Sequence, residues 1–177
     1  HGASMFQTGA VTEKNVPAFT FDDGPMGPRK EYQRDDWIPI GGNDDATSYL
    51  PSNSALAATF NRKRALESGT ILGREARGRG KDMILAPGIN IHRSPLGGRN
   101  FEYMSEDPYL TAEIAVPFVE GIQQNDVSAC VKHYALNNQE TDRTGYNADV
   151  SERALWEIYL PAFRATVKKA HTMGMMG

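Results

Sequence analysis

Apolar positions along the chain follow two periods. Pro17-Ala-Phe-Thr-Phe-Asp-Asp23 is a short β-branched and aromatic run that meets Gly24-Pro25 and must turn, which predicts a strand ending in a loop. Between Phe60 and Ala76 the period lengthens. Ala65, Gly69, Leu72 and Ala76 recur at helical spacing with Arg and Glu on the other face, which predicts a helix packed closely through small residues. Met83-Ile-Leu-Ala-Pro87 predicts a second strand. Asp107 can cap a helix opened by Pro108, with Ala115, Phe118, Val119 and Ile122 on one stripe and Gln123-Gln-Asn-Asp126 as its stop. Val127 to Tyr134 reads as a third strand. Ser151-Glu152 opens another helix with Leu155, Tyr159, Ala162 and Val167 inward, Pro161 bending it, and Trp156 and Phe163 at core spacing. Thr172-Met-Gly-Met-Met-Gly177 reads as a fourth strand cut short. From Asp35 to Asn53, including Gly41-Gly-Asn-Asp-Asp45, no period survives and a surface loop is expected.

Strands alternating with helices of crossover length predict parallel βαβ units, so the fold class is α/β. A complete (β/α)8 barrel takes about 250 residues, and about four strands are legible here, so the chain is expected to form the first part of an incomplete barrel. Half a barrel leaves open sheet edges and exposed apolar interior, and something else is expected to complete it. In such folds the working residues gather in loops after the carboxyl ends of strands. Those loops hold the unusual chemistry here: Asp22, Asp23 and Arg29 after strand one, Asn90 through Arg99 after strand two, Lys132, His133 and Glu140 to Arg143 after strand three.

Composition narrows the field without choosing a function. The 177 residues are 40% hydrophobic and 23% charged, with 19 Lys+Arg against 22 Asp+Glu and a net charge of −3. That is the composition of a globular chain and argues against non-specific nucleic-acid binding. A single cysteine, Cys130, cannot form an internal disulfide. No run approaches the roughly 20 apolar residues of a membrane helix, and His1-Gly-Ala-Ser4 lacks a basic region followed by an apolar stretch, so neither anchor nor signal peptide is expected. A start at His1 instead of Met points to removal of preceding residues, and the compartment stays open.

A mouth of several Arg, one Lys, one His and single carboxylates suits a phosphate, a metal or a sugar. Gly97-Gly98-Arg99 does not lead directly into a helix, which weakens the phosphate case. His1, His92, His133 and His171 show no paired spacing, which weakens the metal case further. Sugar hydroxyls both donate and accept, and mixed carboxylates, Arg, Lys and His suit them best. Glycoside cleavage with retention also needs two carboxyl groups about 5–5.5 Å apart, and spacing does not select that pair. Each residue also has a plainer role. Asp22 and Asp23 suit a turn, Arg99 can bridge to Glu102 or Glu106, Lys132-His133 can be a solvated edge, and Arg62 to Lys81 a solvated helix face.

Taken together, Asp23-Gly-Pro-Met-Gly-Pro-Arg29, the segment Ala86-Pro-Gly-Ile-Asn-Ile-His-Arg-Ser-Pro-Leu-Gly-Gly-Arg-Asn-Phe-Glu-Tyr-Met-Ser-Glu-Asp-Pro108 and Lys132-His-Tyr-Ala-Leu-Asn-Asn-Gln-Glu-Thr-Asp-Arg143 closely resemble glycoside hydrolase family 3, in its β-glucosidase-type members. The likeness continues through Val150-Ser-Glu-Arg-Ala-Leu-Trp-Glu-Ile-Tyr-Leu-Pro161 and covers nearly the whole chain from Pro17. The resemblance implies that residues 1–177 are part of an amino-terminal TIM-barrel domain with a sugar pocket at its mouth. It implies that Asp23 accepts from hydroxyls of the terminal non-reducing sugar and that Arg29 orients Asp23. Arg99, Lys132 and His133 would hold further ring hydroxyls, and Arg143 would support the site near the nucleophile.

The family's nucleophile aspartate lies in a Ser-Asp-Trp type motif several strands beyond residue 177, and its acid/base is usually a glutamate on a separate α/β sandwich domain. No catalytic residue is therefore expected in this chain. Asp142, Glu140 and Glu106 are rejected as substitutes because their motifs have other roles. The Lys-His-Phe-Pro-Gly-His motif of the N-acetylhexosaminidase branch is absent, since Lys132-His133 continues as Tyr-Ala-Leu-Asn-Asn. The expectation is part of a retaining, exo-acting β-glucosidase, inactive as this chain alone, with a β-glucoside or oligosaccharide as substrate and the remainder of the same enzyme as partner. No cofactor, metal, nucleic acid or membrane is expected. A β-xylosidase and a non-catalytic sugar-binding fragment are the alternatives.

Overall fold

The computed structural model describes residues 2–29 and 46–177, so the loop expected over 35–53 lies, as far as residue 45, outside the described residues. An antiparallel hairpin that the apolar pattern does not mark, β1 (Gly2–Ser4) and β2 (Gln7–Thr8), precedes the first parallel strand. That strand, β3 (Phe21–Asp23), occupies only the end of the Pro17–Asp23 run. Ser52 then caps a short helix, α1 (Asn53–Ala57), by accepting from the Ala55 amide, just past the expected loop and in a stretch for which the apolar pattern predicts no element.

The long helices follow their stripes. In α2 (Arg62–Gly78) the Asn61 side chain accepts from the amides of Lys63 and Arg64, and Ala65, Gly69, Leu72 and Ala76 are all buried. In α3 (Pro108–Gln123) Asp107 accepts from the Tyr109 amide at 2.8 Å, Pro108 opens the first turn, and Ala115, Phe118, Val119 and Ile122 face the core. The two helices approach backbone to backbone. Gly69 lies against the Phe118 carbonyl and Gly121 against the Leu66 carbonyl, and neither site has room for a Cβ. Strands β4 (Met83–Leu85) and β5 (Ser128–Lys132) stand after these helices as expected.

The last helical stretch departs from a simple bend at Pro161. A short α4 (Glu152–Ala154) widens into a π turn over Leu155–Tyr159, and α5 (Pro161–Lys168) follows. Leu160 donates to the Leu155 carbonyl, five residues back, and Pro161 has no amide to restore the tighter ladder. The wider turn rotates the rest of the face. Tyr159, Ala162, Phe163 and Thr166 are buried, whereas Val167 is 47% and Trp156 63% exposed, contrary to the inward positions expected for both. The final strand, β6 (Gly174–Met176), is present.

Strands β3, β4, β5 and β6 form one parallel sheet in that order. The α/β class and the parallel βαβ units are as expected, with four of the eight strands that a full barrel takes. Ile84, Ala129 and Val131 pack beneath Leu72, Phe118, Ile122 and Phe163 in one core, where burying each large side chain contributes about 1.5–3 kcal/mol. Beside β6 the surface turns apolar. Trp156, Ile158, Val167, Met173 and Met175 are exposed there, and a groove of about 710 Å³ runs between Trp156, Phe163 and Met175. Among the described residues no helix is long and apolar enough to cross a membrane.

Candidate functional site

The carboxyl ends of the parallel strands open into a cavity of about 930 Å³, and Asp23, Arg29, Arg99, Lys132, His133 and Arg143 all line it. Strand register brings them there. Asp23 ends β3 opposite Leu85, and Lys132 ends β5 opposite Met176. Residues far apart in the chain thus share one mouth, as in other parallel α/β folds.

Lys132 is 2% exposed, so it is no solvated edge. Its Nζ donates to Asp23 Oδ1 at 2.8 Å and makes an ion pair with Glu102 Oε1 at 2.9 Å. Glu102 Oε2 accepts from Arg99 Nε at 2.7 Å and pairs with Arg99 Nη2 at 2.6 Å. Arg99 Nη1 reaches Glu140 Oε1 at 3.5 Å, and Arg143 Nη1 reaches Glu140 Oε2 at 3.3 Å. Each carboxylate of the mouth therefore faces a cation. Glu102 joins the two principal cations and, at 4% exposure, has little water to replace them. The bridge from Arg99 to Glu102 is present, and both residues line the cavity.

Asp23 also accepts from the Gly24 amide on Oδ1 at 2.8 Å. Its Oδ2 takes no partner among the described residues, leaving an acceptor at the cavity. Arg29 differs from the orienting role expected of it. Its amide donates to the Asp23 carbonyl at 2.8 Å, but its guanidinium lies beside Asp22, Nε to Oδ1 3.6 Å, and 4.1 Å over the Phe6 ring. Asp22 in turn accepts from the Asp23 amide. The reason is geometric: successive side chains of a strand point to opposite faces, so an arginine beside Asp22 acts on Asp23 through the backbone. The cation that holds the Asp23 carboxylate is Lys132.

His133 is held at main chain and side chain. Asn90, 1% exposed, accepts from the His133 amide at 2.7 Å and donates to its carbonyl at 2.9 Å. Tyr103 Oη lies 2.9 Å from His133 Nδ1, and Asn137 Nδ2 donates to both Tyr103 Oη at 2.9 Å and Glu140 Oε1 at 3.0 Å. Burial, then Arg99 and Lys132, push the His133 pKa down to about 3, and burial pushes Tyr103 up to about 12. Both are neutral near pH 7. Sequence reasoning left out Tyr103, Asn137 and the supporting α1. There Asn53 donates to the Glu102 carbonyl at 2.7 Å and Ser54 to the carbonyls of Asn100 and Tyr103. The signal for α1 was Ser52 ahead of an alanine- and leucine-bearing run. Among the described residues no group of His, Cys, Asp and Glu is placed to hold a metal ion.

The fold is a parallel α/β sheet with a mouth of paired cations and carboxylates, and the comparisons give its family. Residues 41–177 match the profile described as the glycosyl hydrolase family 3 N terminal domain. The chain belongs to that family. It is 47% identical over 177 residues to β-glucosidase BoGH3A of Bacteroides ovatus, covering all of this chain and 24% of that protein. It is 41% identical over 182 residues to an exo-α-(1→6)-L-arabinopyranosidase of Bifidobacterium longum, covering 99% of this chain and 23% of that protein. Among solved structures, β-glucosidase 3B from Thermotoga neapolitana in complex with glucose superposes with a TM-score of 0.86 at 45% identity, covering 96% of this chain and 23% of that one. The chain thus spans about a quarter of the length of the curated relatives it matches.

Proposed function

We propose that residues 1–177 are part of the amino-terminal barrel domain of a retaining, exo-acting β-glucosidase and supply most of the pocket for the terminal glucosyl unit. The observation that carries this is the acceptor–donor set at the mouth. Asp23 Oδ2 is available to accept, Lys132 has ammonium hydrogens beyond the one given to Asp23 and pairs with Glu102 by charge, and His133 and Arg99 face the same cavity. Arg29 and Arg143 complete it as supports. Hydroxyl contacts of this kind accelerate cleavage where they strengthen as the ring distorts toward an oxocarbenium-like transition state.

Catalytic carboxylates belong to the remainder of the polypeptide. The pairing supports that division, because Asp23, Glu102 and Glu140 each face Lys or Arg at 3.5 Å or less. An acid catalyst needs the opposite environment, one that keeps its proton. Cleavage by the full-length protein then requires a nucleophile and an acid about 5–5.5 Å apart.

A second reading is favoured by the arabinopyranosidase relatives, at 41% and 40% identity. Arabinopyranose lacks the exocyclic hydroxymethyl of glucose and, in the α-L form, carries its 4-hydroxyl in the opposite configuration, so a pocket that grips ring hydroxyls in fixed directions discriminates between them. Full-length protein is expected to hydrolyse an aryl β-glucoside faster than an aryl α-L-arabinopyranoside and to release β-glucose first, seen by proton NMR. Release of α-glucose would remove the retaining mechanism, and a reversed rate order would install the second reading.

A further inference from the structure

The chain Glu140–Asn137–Tyr103–His133 has a direction that its hydrogens impose. Asn137 Nδ2 lies 3.0 Å from Glu140 Oε1 and 2.9 Å from Tyr103 Oη. A carboxylate flanked by Arg99 and Arg143 accepts and does not donate, so the amide must present its NH2 to Glu140. The second hydrogen of that NH2 goes to the Tyr103 oxygen. Tyr103 has one hydrogen of its own, and the nearest acceptor is His133 Nδ1 at 2.9 Å. A proton on Nδ1 would instead put two donors on the phenol oxygen and leave the phenol hydrogen without an acceptor among the described residues.

We propose that Tyr103 and Asn137 are positioning residues that fix His133 in its Nε2–H tautomer and make it an uncharged donor to a sugar hydroxyl in the mouth. The inference deepens the glucosidase reading and rests on it for the identity of the hydroxyl. His133 Nε2 takes no partner among the described residues, and its residue lines the cavity. A hydroxyl bonded there accepts from His133 and keeps its own hydrogen for an acceptor, which Asp23 Oδ2 provides in the same cavity. The absence of charge has a purpose. Arg29, Arg99, Lys132 and Arg143 already line the mouth, and a further cation would oppose the positive charge that grows on the ring in an oxocarbenium-like transition state. The groups acting on His133 from the surrounding segments are Arg99 and Lys132, which with burial, the largest influence, disfavour its protonation, and Asp23 and Glu140, which favour it.

Neutron diffraction from deuterium-exchanged crystals of the full-length protein, without sugar and at neutral pD, tests the tautomer directly. The expected map has a deuteron on His133 Nε2, none on Nδ1, and the Tyr103 O–D directed at Nδ1. A deuteron on Nδ1, alone or with one on Nε2, overturns the proposal. Tyr103→Phe in the full-length protein is expected to weaken glucose binding by about tenfold in calorimetry, the worth of one neutral hydrogen bond. Burial, Arg99 and Lys132 still hold His133 uncharged in that variant, so the loss is expected to stay the same between pH 7 and 5. Glucose affinity in that variant equal to wild type at every pH overturns the proposal as well. If the variant does not fold, the wild-type neutron map still decides. Failure of the glucosidase reading looks different: wild-type protein with neither glucose affinity nor aryl β-glucosidase activity fails it, whatever the position of the deuteron.

Discussion

Glu102 sits between Arg99 and Lys132 with 4% of its surface exposed, and its main-chain carbonyl is held by Asn53. Removing its charge leaves Lys132 with Asp23 alone and Arg99 with Glu140 alone, where little water reaches Lys132 to make up the loss. Glu102→Gln keeps the shape and is expected to cost the full-length protein about 3 kcal/mol, read as a lowered unfolding midpoint, together with weaker glucose binding. His133 makes a second expectation at this scale. Its folded pKa, about 3, lies below the ordinary imidazole value of 6.5, so between those values the unfolded chain takes a proton that the folded one refuses. That contribution is complete above pH 6.5 and is lost as pH falls toward 3. His133→Asn should flatten the stability profile between pH 7 and 4, and denaturant midpoints measured across that range check it. Burial pushes the Cys130 thiol up to about 11, so it carries little thiolate near neutral pH.

The contact between α2 and α3 brings the βα units close enough to share one core, and it depends on atoms that are absent. Gly69 and Gly121 let the helices meet at backbone distance, with Phe118 and Leu66 carbonyls where side chains would stand. Gly69→Val is therefore expected to separate the helices and to destabilise by more than the loss of a cap. Asp107→Ala, which removes the acceptor for the Tyr109 amide, should cost about 1 kcal/mol. Calorimetry of both variants ranks them, and a valine tolerated as well as the alanine would mean that the seam can open. The π turn at Leu155–Tyr159 shows the same sensitivity from the other side. One widened turn ahead of Pro161 moves Trp156 and Val167 to the surface and Thr166 into the core. Helical spacing counted straight through it assigns the wrong face.

At the scale of the molecule, the apolar surface beside β6 is the counterpart of the open barrel that strand counting anticipates. Exposed Trp156 and Val167 line a groove with Met175 of β6, a strand that, among the described residues, has a neighbour on only one side. The isolated 177-residue chain is expected to self-associate and to leave an aryl β-glucoside intact. Sedimentation and a rate assay read both, and turnover by the isolated chain would place a carboxylate pair within it. Much was legible beforehand. Periodicity alone identified α2 and α3 and the sheet-forming runs, because apolar spacing records which face is buried, and Asp107 with Pro108 marked where α3 begins. The six mouth residues were named from motifs that resemble a family. Local pattern could not foresee the π turn, the Lys132–Asp23 pair in place of Arg29, or the Tyr103–Asn137 support of His133. Those depend on contacts between residues as far apart as Asp23 and Lys132, and such distances in the chain close only when parallel strands align their ends. The sequence by itself determined the class of fold, the principal faces and the type of chemistry. Only the tertiary structure decided which charge faces which, because a partner in a buried site is chosen by position in space and by the exclusion of water.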